Sequence, residues 1–144
     1  MADLRLIVNG ACPHAMTLDG ADRYILGPRY SLIEFQSRLV ANTVSLIVVC
    51  RDADDDLIEL DWDLTDVRAL ISALTSHAYR NSQWCITSLR FWVACDAYVL
   101  NFNLDSVCED LNCPTYYLKF GFLPGVDHTS AIVSIHRGYK VSVK

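Results

Sequence analysis

Long uninterrupted apolar runs are missing from this chain. Although 52% of its 144 residues are apolar and the mean hydropathy is +0.22, the best stretch, Val44 to Cys50, is bounded by Asn42 and Arg51. That is far short of the roughly 18 positions a membrane-spanning helix needs, which excludes a helical membrane protein. The amino terminus, Met1-Ala2-Asp3-Leu4-Arg5, carries an early acid and only a short apolar string before Asn9-Gly10. It lacks the basic and long apolar regions of a secretory signal, so a cytoplasmic location is expected. Glycine and proline are sparse, at 6 and 4 residues, and no low-complexity linker or internal repeat interrupts the chain. One domain is expected.

Motifs that would name a chemistry outright are absent too. There is no glycine-rich phosphate loop, no Gly-x-Ser-x-Gly elbow and no His-Glu-x-x-His. Of the 6 cysteines only Cys108 and Cys113 approach zinc-ligand spacing, and no second pair accompanies them. The thiols therefore read mostly as small buried hydrophobes, and neither zinc nor a disulfide framework is called for. The acidic run from Arg51 to Asp63 reads as a solvated loop leading into a helix. Its Asp54-Asp55-Asp56 lacks the glycine and terminal glutamate of a calcium loop, so no metal is expected there.

The net charge of −5 is unevenly spread. Residues 1–66 hold 12 acids and 5 bases, a balance of −7, whereas residues 67–144 hold 5 acids and 7 bases, a balance of +2. A negative chain is a poor polyphosphate binder as a whole, and any nucleic-acid chemistry belongs to the second half.

Hydrophobic spacing predicts short strands at Leu4–Val8 and Tyr24–Leu26. It predicts a helix over Ser31–Val40 opened by a Ser31/Glu34 capping box, and a buried β-branched strand over Thr43–Cys50. Leu64, Val67, Leu70, Ile71 and Leu74 recur at helical period behind Asp63, so Asp63–Leu74 is a helix with acids in its first turn. Strands are expected at Trp92–Leu100, Tyr116–Phe122 and Ala131–Ile135, with Pro124-Gly125 turning between the last two. The result is an α+β domain with early helices packed on a C-terminal antiparallel sheet.

Asp61-Trp62-Asp63 before an apolar helix, Tyr79-Arg80 after it, Trp92 with Asp96-x-Tyr98, Tyr117-Leu118-Lys119 and a closing Ile132-Val133-Ser134-Ile135-His136 resemble the motility quorum-sensing regulator (MqsR-type) toxins. These are messenger-RNA interferases of bacterial toxin–antitoxin systems with a RelE-like fold. The resemblance spans about residues 57–136, leaving residues 1–56 as an extension of uncertain structure. It implies a metal-independent, cofactor-free endoribonuclease whose partners are RNA and a cognate antitoxin. Arg80, Tyr117, Lys119 and His136 would be the catalytic set, with Arg80 and Lys119 on the phosphate and His136 and Tyr117 moving protons. Tyr98, Arg137 and His77 would assist binding. Cys95 stands where the family has a glutamine.

Two other readings fit the same residues. One is a non-enzymatic binding or regulatory module on the same scaffold, of immunity type, working through its acidic face. The other is an unrelated homo-oligomer whose extra apolar content covers an interface.

Overall fold

The computed structural model describes residues 3–6, 23–88, 90–103 and 113–137. The chain runs through β1 (Tyr24–Ile25), α1 (Leu32–Val40), β2 (Ser45–Val48), α2 (Arg51–Leu60), α3 (Leu64–Ala73), a 3-10 turn at Ser76–Ala78, β3 (Tyr79–Ile86), β4 (Trp92–Asn101), β5 (Thr115–Phe122) and β6 (Thr129–Arg137). The strands form one six-stranded sheet in the order β1-β3-β4-β5-β6-β2. This is the expected α+β architecture, with one correction. The sheet is mixed, because β2 pairs in parallel with β6 while every other pair is antiparallel.

Local chemistry explains where the helices start and stop. Ser31 caps α1, its Oγ accepting from the Glu34 amide at 3.1 Å. The Glu34 carboxylate does not complete a capping box there; it binds Arg38 one turn on, at 2.7 Å. The reciprocal box belongs to α3, where Asp63 and Asp66 each accept from the other's backbone N–H at 3.1 Å. The two helices also close each other's C-terminal ends. Gln36 donates to the carbonyls of Ile71 and Leu74 at 2.8 and 2.9 Å, and Arg68 donates to that of Leu39 at 2.8 Å. The Leu39 and Ile71 carbonyls already accept a backbone N–H from three residues on, so the side chain is a second donor there. Together with the side-chain donor at Leu74, these bonds at the helix C-termini tie α1 to α3.

The acidic run is not a loop. Arg51–Leu60 is helical, with Asp52 and Asp54 in the first turn, where the macrodipole favours acids. Ala53 and Leu57 are its buried residues, and Asp61 ends it in the left-handed conformation at φ 56°. The 56/57 division drawn from the resemblance falls inside this helix, and β1 and β2 form the two outer strands of the sheet.

Alternation gives the sheet two faces. One carries Tyr98, Tyr116, Leu118, Phe120, Phe122, Ile132 and Ile135 into the main core with Phe35, Leu39, Val67, Leu70 and Ile71. Phe35 touches both Phe120 and Phe122, with ring centroids 4.7 and 5.2 Å apart. The other face holds two smaller clusters, Cys85–Val93–Cys95–Val133 and Ala97–Val99–Tyr117. Helix α2 packs along β6. Of the first expected strand, Arg5 forms a bridge with Tyr30, and its guanidinium holds Asp127 and the carbonyls of Leu123 and Val126; positions 7 and 8 lie outside the described residues. Cys85 and Cys95 are buried free thiols and Cys50 is half-buried, whereas Cys113 is disulfide-bonded.

Candidate functional site

Three of the four residues expected to act on a phosphodiester share one face of β5 and β6. Tyr117 lies opposite His136 and Lys119 opposite Ser134, on the face away from α1 and α3. The Tyr117 and His136 rings stack with centroids 4.9 Å apart and 23° between planes.

Lys119 is turned toward the thiols. Burial works against its charge, but Cys85, Tyr117 and Cys95 more than offset that, and its pKa lies above the ordinary 10.5. Cys85 is displaced the other way, to about 7: hydrogen bonding with Cys95 lowers it, burial opposes, and the Lys119 ammonium lowers it further. Burial holds the Cys95 thiol up.

Arg80 does not join this group. It sits at the irregular step that opens β3, with β4 and β5 between it and β6. Three strand spacings amount to roughly 14 Å. Its exposed guanidinium folds back on the carbonyls of His77 and Tyr79 at 3.1 and 3.2 Å. His77 is exposed in the 3-10 turn. Tyr98 points to the opposite face, buried at 2% exposure and stacked on Phe120 with centroids 5.8 Å and planes 7° apart; burial pushes its hydroxyl pKa up.

His136 and Arg137, at the end of β6, instead line an open pocket of about 430 Å³ with Asp56, Glu59, Trp62 and Tyr116. Trp62 stacks on Tyr116, centroids 4.7 Å apart. Burial raises the Asp56 pKa, His136 pulls it down, and Glu59, Asp52 and Asp55 push it up. The His136 pKa is lowered by burial, raised in part by Asp56 and lowered again by Lys119; the net direction is down from 6.5. Asp56 and Glu59 were not singled out in the sequence. Their three-residue spacing puts both on one helical face, a signal that appears only once Arg51–Leu60 is taken as helix.

A second constellation lies near β1. The Asp96 carboxylate, fully buried on β4, accepts from the Ser82 hydroxyl at 2.6 Å and from the amides of Arg29 and Tyr30 at 2.9–3.1 Å. Tyr79 Oη lies 2.8 Å from Ser82 Oγ. Burial raises the Asp96 pKa, and the Ser82, Arg29 and Tyr30 donors counter it in part. Among the described residues no three His, Cys, Asp or Glu side chains gather to hold a metal ion, and no helix is long and apolar enough to cross a membrane. Comparisons with protein-family models, curated proteins and solved structures find no match.

Proposed function

We propose that the protein is a non-enzymatic interaction module, of immunity or regulator type, which takes a cationic side chain of a basic protein partner into the pocket between α2 and the end of β6. The observation that carries this reading is the make-up of that pocket: the Trp62–Tyr116 stack beside the Asp56 and Glu59 carboxylates. Aromatic faces and carboxylates together suit a guanidinium or ammonium group. With His136 biased toward its neutral form, two acids outweigh Arg137. Ile58, 78% exposed on the same helix, adds an apolar contact amid the acids, as at an interface core with a charged rim.

The second reading is the metal-independent RNA-cleaving toxin with its cognate antitoxin, and it is favoured by the Tyr117–His136 stack with Lys119 on the same face. Against it stand the acids that adjoin His136, which repel phosphodiesters, and the position of Arg80.

Binding of an arginine-rich peptide, followed at low and high salt, separates the two. The interaction module binds the peptide, releases it as salt rises, and weakens roughly tenfold in Asp56→Asn/Glu59→Gln. Cleavage of single-stranded RNA that survives EDTA and disappears in His136→Ala, without peptide binding, replaces it by the ribonuclease.

A further inference from the structure

A pocket of about 590 Å³ opens between the start of α1, the end of α3 and the sheet, walled by Pro28, Tyr30, Leu32, Leu74, Tyr79 and Tyr98. Its size falls within the range of small-molecule sites. It is separate from the pocket beside α2.

The Tyr98 hydroxyl makes no hydrogen bond among the described residues and can give or take one, whereas the other polar groups around the pocket are mostly committed. Ser31 Oγ caps α1, and the Gln36 amide nitrogen serves the carbonyls of Ile71 and Leu74. Thr75 and Ser76 sit exposed at the rim. Tyr79 differs, because the direction of its hydrogen bond follows from counting protons.

Backbone N–H groups only donate, so the bonds from Arg29 and Tyr30 fix Asp96 as acceptor on both oxygens. As a carboxylate it has no proton to give, so Ser82 must spend its single hydroxyl proton on Asp96. Ser82 Oγ is then the acceptor in its contact with Tyr79, and the phenolic proton points inward. What Tyr79 offers any ligand is a lone pair.

We infer that this pocket binds a small, largely apolar molecule carrying one hydroxyl or N–H donor, of the phenol or indole kind, with the donor directed at Tyr79 Oη. Apolar and aromatic walls supply the affinity by burial. The fixed direction of the Asp96–Ser82–Tyr79 chain supplies selectivity, because an ether oxygen placed against Tyr79 Oη meets lone pair with lone pair and leaves both groups unpaired.

The test compares para-ethylphenol with its methyl ether, para-ethylanisole, by titration calorimetry on the full chain near neutral pH. The phenol binds roughly three- to tenfold more tightly than the ether. Tyr79→Phe removes that preference while keeping apolar binding. Ser82→Ala frees the Tyr79 proton to point outward, so the preference falls and the acceptor acetophenone gains affinity. Circular dichroism checks folding, and if Tyr79→Phe does not fold, the wild-type comparison and Ser82→Ala decide. Equal affinity for phenol and ether, binding of neither, or an unchanged preference in a folded Tyr79→Phe overturns the inference. So does a dimer that Ile33→Asp splits in a protein that binds no phenol, since a second copy is then the occupant.

Discussion

Tyr117 and His136 face each other across β5 and β6, their rings 4.9 Å apart and within 23° of parallel. The imidazole is thereby held against an aromatic face on one side while Asp56 acts on it from α2. Its folded pKa lies below the ordinary 6.5, so folding favours the neutral ring. That contribution to stability is present above 6.5 and is lost as pH falls through the folded value. Urea midpoints measured from about pH 8 down to about pH 5 show the loss in the wild type and a shallower fall in His136→Asn. Parallel curves would show that His136 contributes nothing to it.

Cys85 titrates near neutrality. Hydrogen bonding with Cys95 and the Lys119 ammonium bring its pKa to about 7 against the opposing effect of burial. The rate of modification by a small methanethiosulfonate therefore rises to half its maximum near pH 7, and Lys119→Met moves that midpoint upward. A midpoint at the ordinary value of about 9 in the folded wild type would contradict the pairing.

Gly121 cannot accept a side chain. A Cβ there would press into the Ala94 carbonyl oxygen and lie 2.6 Å from Val93 Cγ1. Backbone cannot move aside as a side-chain tip can, so Gly121→Ala costs about 1–3 kcal/mol by overpacking. Urea unfolding measures it, and a neutral result would mean that β4 and β5 are less closely apposed.

Removing the Asp96 carboxylate strands two buried amides. Asp96→Ala leaves the N–H groups of Arg29 and Tyr30 without their acceptor, at about 1–3 kcal/mol for each group. Asp96→Asn, which keeps an accepting oxygen, loses less. Hydrogen exchange at those two amides accelerates in the alanine variant; unchanged protection would assign their acceptor elsewhere.

Elements with a clean period were legible in the sequence. α1 and α3 fall where apolar spacing and capping residues put them, and β4, β5 and β6 where alternation did. β3 was missed because Arg80-Asn81-Ser82-Gln83 interrupts any apolar pattern. Its polar side chains meet partners instead of oil, Ser82 on Asp96 and Gln83 on Asn81. α2 was missed because only Ala53 and Leu57 are buried among its acids.

Of the candidate pocket, His136 and Arg137 were singled out in the sequence, Asp56 and Glu59 were not, and the arrangement was not legible at all. That His136 belongs with Tyr117 and Asp56, and not with Arg80, depends on strand register and on how α2 lies against β6. Neither leaves a mark in local periodicity.

The parallel edge strand has a consequence for how the chain assembles. β3 to β6 is a meander whose neighbours in the sheet are neighbours in sequence, so it can zip from hairpin to hairpin. β2 cannot. Ser45 must wait for Thr129, and closing a loop of about 80 residues carries an entropic cost before the pairing returns anything. On a ribosome, residues 45–48 leave the exit tunnel well before their partner strand has been made. The apolar segment Leu46–Val48 is thus an unpaired strand for most of synthesis, the condition in which such segments seek other chains.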